Sequence, residues 1–265
     1  MCATCGCGED EVRVTALHDH NHEHRHAHDH PHDHTHDTTP RTVMLETDVL
    51  AKNDRLAQRT RAWLAARRAL TVNVMSSPGS GKTTLLVRTI HDLMPSTQVC
   101  VVEGDQETLI DAQRIQATGA PVVQINTGAG CHLDAAMLER GLHELNPPAG
   151  AMVLVENVGN LVCPALFDLG ESQRVVVMSV TEGDDKPLKY PHMFASADVV
   201  VVNKVDLLPY VDFDVKRFAA HVRAVNPRAD LLRVSATRGD GLTDWYGWLH
   251  AQRGSPTARR DARSG

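Results

Sequence analysis

One nine-residue segment limits the possible folds more than any other. Ser76-Ser77-Pro78-Gly79-Ser80-Gly81-Lys82-Thr83-Thr84 follows a β-branched run at 71–75 and passes straight into the apolar helix start Leu85-Leu86-Val87. Small residues in this setting let backbone N–H groups curl around a phosphate at a helix amino terminus. Such a loop works only between a buried strand and a helix packed on it, so an α/β domain is required. The first Gly of the usual pattern is Ser76 here, at a position that precedes the tight turn and accepts a small side chain. In this reading Gly79, Ser80, Gly81 and Thr84 cradle the phosphates, Lys82 reaches the β/γ oxygens and the Thr83 hydroxyl binds Mg²⁺.

The rest of the chain repeats the strand and helix alternation. Runs at 71–75, 98–103, 121–125, 151–156, 174–180, 198–203 and 231–235 read as strands, with amphipathic segments at 82–93, 108–118, 133–145 and 213–225 between them. Strands apolar throughout are those buried on both faces, which predicts a three-layer fold with a mostly parallel sheet. A helix is expected over 43–70, with Leu45, Val49, Leu50 and Leu56 as its apolar stripe. Residues 41–253 then form one nucleotide-binding domain, and the polar stretch 254–265 reads as a frayed end.

Two further segments bear on the base. The 198–203 strand runs into Asn203-Lys204-Val205-Asp206, and the 231–235 strand ends in Ser235-Ala236. A carboxylate at Asp206 can accept from both N1–H and the 2-amino group of guanine, a pair of donors that adenine lacks, so GTP and GDP are the expected nucleotides. Acidic residues end two other strands. Glu103-Gly104-Asp105 offers Asp105 for Mg²⁺ or for the attacking water, while Glu156-Asn157-Val158-Gly159-Asn160 offers Glu156 near the metal and Gly159 to the γ-phosphate. Lys186 is a candidate to meet phosphate across a dimer.

Charge and metal-binding residues are concentrated at the amino terminus. The chain carries a net charge of −6, and its first forty residues alone hold eight acids against two bases. The remaining chain is therefore neutral, which argues against nucleic acid as a main partner. No apolar stretch approaches the roughly 20 residues needed to cross a bilayer, and no signal peptide is evident, so a cytoplasmic protein without membrane contact is expected. With few large apolar side chains, residues 1–40 are expected to be disordered without metal. Cys2, Cys5 and Cys7 place three thiols within six residues, and the Cys2 α-amino group, once Met1 is removed, supplies a fourth ligand for Ni²⁺ or Zn²⁺. His18, His20, His22, His24, His26, His28, His30, His32, His34 and His36 occupy alternate positions and make a weak, high-capacity site for several ions. A third set lies in the core: Cys131-His132 and Cys163, the latter four residues past Gly159.

Taken together, these motifs, with Cys131-His132-Leu133-Asp134 and Asn160-Leu161-Val162-Cys163-Pro164, resemble the HypB family of hydrogenase maturation GTPases. The resemblance implies a SIMIBI-type GTPase, slow and Mg²⁺-dependent, that dimerises with its nucleotide state. It implies help in inserting nickel into [NiFe]-hydrogenase, with HypA, SlyD and the hydrogenase large subunit as partners. It also implies that Cys2, Cys5 and Cys7 are the tight nickel site, and that Cys131, His132 and Cys163 form a second site at a homodimer interface. Two rival functions are a urease-accessory nickel GTPase and a nickel storage protein with incidental GTPase activity.

Overall fold

A computed structural model describes residues 13–16, 40–106 and 108–253. Among them, eight strands form one sheet: β1 (Arg13–Ala16), β2 (Leu70–Ser76), β3 (Val99–Asp105), β4 (Val122–Asn126), β5 (Met152–Glu156), β6 (Gln173–Ser179), β7 (Val199–Asn203) and β8 (Asp230–Arg233). Their order is β1-β4-β3-β5-β2-β6-β7-β8. All neighbours are parallel except β1, which pairs antiparallel with β4. The expected three-layer class and mostly parallel sheet are therefore present.

Parallel strands alternate their side chains between two covered faces, and the core divides accordingly. Val72, Val74, Val101, Leu154, Val177 and Val201 point to one face, against Leu85, Leu86 and Ile90 of α2 (Lys82–Leu93). That face is completed by Trp245 and Leu249 of α9 (Leu242–Gln252). On the opposite face Val102, Ile125, Val153 and Val155 meet α4 (Ala135–Leu145), while Val176, Met178, Val200 and Val202 meet α7 (Pro191–Ser196) and α8 (Val215–Val225). Short helices α3 (Ile110–Gln116), α5 (Cys163–Leu166) and α6 (Lys186–Lys189), and a 3₁₀ turn at Val205–Tyr210, fill the connections.

Three expectations need correction. Helix α1 spans Pro40–Ala66 rather than 43–70, because Leu70 is already the first residue of β2. Its buried face is Asn53, Ala57, Thr60 and Leu64; Val49 is 49% exposed, so the stripe read from larger apolar residues is displaced. The reason is polar packing: Asn53 donates to the Asp168 carbonyl at 2.8 Å and accepts from the Ala135 N–H at 2.9 Å. Within the amino-terminal forty residues, Arg13–Ala16 form a strand, helped by the β-branched pair Val14-Thr15 and by an edge available on β4. Apart from that strand and Pro40, residues 1–40 lie outside the described residues, as do 254–265. Helix α9 was not expected at all. Its three aromatic residues and internal Gly247 gave no clean periodic stripe, yet Trp245 is fully buried and its indole N–H donates to Thr89 at 2.9 Å.

From β2 the chain moves to β3 and β4 on one side of the sheet and later to β6, β7 and β8 on the other. The carboxyl end of β2 is thus the switch point where open α/β sheets hold their ligands.

Candidate nucleotide and metal site

The loop leaving β2 enters α2 through Gly81, whose φ of +89° only glycine adopts without strain. No side chain caps α2, so the first-turn N–H groups face a cavity of about 550 Å³ at the helix amino terminus. Gly79, Ser80, Gly81, Lys82, Thr83, Thr84, Asp105, Gly159 and Lys204 all line this cavity. Lys82 Nζ lies 2.6 Å from Glu156 Oε1, and the Thr83 hydroxyl donates to the same oxygen at 2.5 Å. Asp105 has one oxygen engaged by the N–H and hydroxyl of Thr108, at 3.1 and 2.5 Å.

A carboxylate that the sequence reading passed over completes this group. Glu103 pairs in register with Glu156 across β3 and β5, and both are buried, at 2% and 1% exposure. Burial pushes the Glu103 carboxyl up to about 8, with the Glu156 and Asp105 charges adding and Lys82 opposing. Glu103 Oε2 and Glu156 Oε2 each lack a hydrogen-bond partner among the described residues. Two buried carboxylates with unpartnered oxygens beside a phosphate loop suit a divalent cation, which would satisfy both at once. In sequence Glu103 is a carboxylate ending an apolar strand, two residues before the more exposed Asp105. Arg114 was also missed: it lines the cavity and donates to the Thr84 hydroxyl at 3.0 Å, and one Arg on an amphipathic helix carries no such signal.

The residues expected at the base lie together, and two of them brace the phosphate loop. Asn203 donates to the Ser80 carbonyl at 3.0 Å and accepts from the Ala236 N–H at 3.1 Å, while Lys204 donates to the Gly79 carbonyl at 2.6 Å. A side chain at position 81 would meet Asn203 Nδ2 at 2.6 Å, so Gly81 is needed twice. Asp206 accepts from the Ser235 hydroxyl at 2.6 Å. Asn203, Asp206, Ser235 and Ala236 thus form one cluster beside the phosphate cavity, and of the base-side residues only Lys204 also lines it. On the other flank Glu182 accepts from Ser77 at 2.5 Å and lies 3.6 Å from Lys186.

Cys131, His132 and Cys163, read from separate segments, converge with their ligand atoms all within 4.8 Å of one another. Cys131 Sγ and His132 Nδ1 are 3.7 Å apart, and the imidazole stacks on Phe167 with centroids at 3.9 Å. Burial holds His132 below its ordinary pKa, against the opposing pull of Asp134, which favours the neutral ring that ligates metals. Two thiols and an imidazole suit Ni²⁺ or Zn²⁺ and leave one tetrahedral position for another ligand. Cys100 is buried in β3 and belongs to the packing. Cys2, Cys5, Cys7 and the alternate histidines from His18 to His36 lie outside the described residues.

With this geometry in place, comparison with known proteins decides the family. Residues 70–233 match the family described as CobW/HypB/UreG, nucleotide-binding domain. The hydrogenase maturation factor HypB of Escherichia coli K12 is 55% identical over 213 residues, covering 80% of this chain and 73% of that protein. The chain belongs to the HypB family of hydrogenase maturation factors. Among solved structures, HypB from Archaeoglobus fulgidus is 40% identical, with a TM-score of 0.72 over 77% of this chain and all of that one. HypB from Helicobacter pylori, solved in complex with nickel, is 37% identical, with a TM-score of 0.71 over 76% and 95% of the two chains. The HypB fold therefore accounts for the sheet and the helices packed on it. No described helix is long and apolar enough to cross a membrane.

Proposed function

We propose that this chain hydrolyses GTP and uses the nucleotide cycle to hold and release nickel for [NiFe]-hydrogenase. The observation that carries the reading is the cluster of Cys131 and His132, on the loop after β4, with Cys163, at the start of α5 after β5, beside the phosphate cavity. Lys82 and the α2 N–H groups bind the β- and γ-phosphates, and Asp206 selects guanine. Thr83, Glu156 and Glu103 are the residues that would hold Mg²⁺, which supplies neutralisation of charge on the transferring phosphoryl group. Asp105 positions the attacking water or a ligand of that cation. With GTP bound, the Asp105 and Gly159 loops draw inward; after hydrolysis they relax and change the metal affinity at Cys163.

Cys2, Cys5 and Cys7 are the tight nickel site, and the histidines from His18 to His36 supply a reservoir; Zn²⁺ competes at the thiolate sites. A homodimer is supported by Val162 and Leu166, large apolar residues 46% and 49% exposed on either side of Cys163. In that dimer Lys186 reaches the partner's nucleotide. The chain works in the cytoplasm with HypA, SlyD and the hydrogenase large subunit. The Escherichia coli relative, a hydrogenase maturation factor, supports hydrogenase rather than urease as the client.

The test compares nickel content and affinity of the full chain and of Cys2/Cys5/Cys7→Ala, each with GDP and with a nonhydrolysable GTP analogue. The triple variant should lose the tighter class of nickel. Nickel retained in full would remove the amino-terminal assignment, and equal core affinity in both nucleotide states would remove the coupling.

A further inference from the structure

The residue after His132 is held by two separate parts of the nucleotide site. The Leu133 N–H donates to Asn157 Oδ1 at 3.1 Å, and the same oxygen accepts the Val158 N–H at 2.9 Å. Asn157 is completely buried. Its Nδ2 donates to Asn73 Oδ1 at 3.2 Å, and its own N–H donates to the Val74 carbonyl, both on β2 just before the phosphate loop. One carboxamide therefore ties together the strand feeding the phosphate loop, the Val158-Gly159 segment that lines the phosphate cavity, and the segment carrying Cys131 and His132. Gly159 in turn packs against Pro78 of the phosphate loop.

A second contact reaches the same residue by packing. Any side chain at position 104, next to Asp105, would meet the Leu133 side chain at 2.7 Å, so the β3 end and Leu133 are in full contact. The segment is tied to that loop again where Thr127 donates its N–H to the Asp105 carbonyl at 2.9 Å. Leu133 itself is fully buried in the close-packed interior.

We propose that Asn157 is the positioning residue through which the nucleotide state sets the geometry of the Cys131-His132-Cys163 site. A movement of Val158-Gly159 toward a γ-phosphate pulls on Asn157 Oδ1, which is shared with Leu133, and so displaces His132 relative to Cys163. Cys163 lies six residues beyond Asn157 on the other side of the same segment, so the two halves of the ligand set respond differently. This inference rests on the nucleotide-dependent nickel binding proposed above and names the side chain that carries it.

The experiment uses the full chain bearing Cys2/Cys5/Cys7→Ala. Its remaining thiols are the buried Cys100 and the pair Cys131 and Cys163, so the sulfur-to-nickel charge-transfer band reports the core site without interference from imidazoles. Nickel is titrated with GDP bound and with a nonhydrolysable GTP analogue bound. The parent should show at least about a five-fold ratio between the two dissociation constants. Asn157→Ala should bring that ratio to within about two-fold of one, read with each nucleotide at saturation.

Asn226→Ala is the control. That side chain is also buried but bonds to the Phe194 and Ala197 carbonyls, away from both loops, so the variant should lose stability and keep the ratio. Should Asn157→Ala not fold, Asn157→Ser, too short to reach Leu133, takes its place. A ratio that survives in the Asn157 variant overturns the inference alone. A parent ratio of one overturns the underlying coupling and the inference with it.

Discussion

Glu103 and Glu156 face each other across adjacent strands at the base of the phosphate cavity, an arrangement that is costly without a cation. Because the folded-state pKa of Glu103 is raised to about 8, the folded chain holds a proton there that the unfolded chain releases near 4.5. The metal-free protein should therefore lose stability as pH rises from about 4.5 to 8, at up to about 1.4 kcal/mol per pH unit. Glu103→Gln should abolish that part of the slope in urea denaturation curves and, separately, raise the Mg²⁺ concentration needed for nucleotide binding. A slope unchanged by the substitution would place the titrating group elsewhere. At Lys82 the expectation concerns chemistry: on the proposed function, Lys82→Ala should lower the rate of GTP hydrolysis by about 100-fold or more, since it removes a cation that lines the phosphate cavity. Hydrogenase maturation should then fail at limiting and at ample nickel alike; recovery at ample nickel would show that the GTPase step is dispensable.

At the scale of elements, α4 and α9 show how sequence signals differ in strength. Helix α4 is announced by Asp134, whose carboxylate accepts the Met137 N–H at 2.7 Å, and it ends at Asn146 in the left-handed conformation. Asp134→Ala should cost about 1 kcal/mol. That corresponds to a fall in Tm of about 2–4 °C by calorimetry for a domain of this size. The same variant also removes the charge that opposes the lowering of the His132 pKa. Helix α9 carries no comparable signal, yet it closes one face of the sheet through Trp245. Trp245→Ala should lower stability by about 3–5 kcal/mol in denaturant titration. A loss below 1 kcal/mol would mean that Trp245 contributes little to the core. Helix α1 misled for the opposite reason. Its buried face uses Asn53 and Thr60, whose value lies in hydrogen bonds and close approach, so the apolar count pointed to Val49 instead.

At the scale of the whole molecule, the amino-terminal segment and the nucleotide-binding domain differ sharply in composition. The segment carries the entire net charge and ten of the histidines, and β1 within it joins the sheet edge opposite β8. A deletion that tests the reservoir should therefore remove residues 18–36 and spare Arg13–Ala16. It should lower bound nickel by roughly three ions per chain, at three or four imidazoles per ion. Hydrogenase maturation should suffer at limiting nickel only; a defect at ample nickel would assign the tract an essential step. The sequence by itself determined the phosphate loop, the strand and helix alternation and hence the fold class, and it named candidate residues that the structure places around the phosphate cavity. These are local patterns, set by backbone sterics and by periodic burial within short stretches of chain. Only the tertiary structure decided which distant residues meet: Glu103 with Glu156, Asn203 with Ser80 and Ala236, and Cys131 and His132 with Cys163. Strand order and register decide those contacts through packing between segments far apart in the chain. The same is true of Asn157, an unremarked residue between Glu156 and Val158 in the sequence, which becomes the meeting point of both sites once β2, β3 and β5 lie side by side.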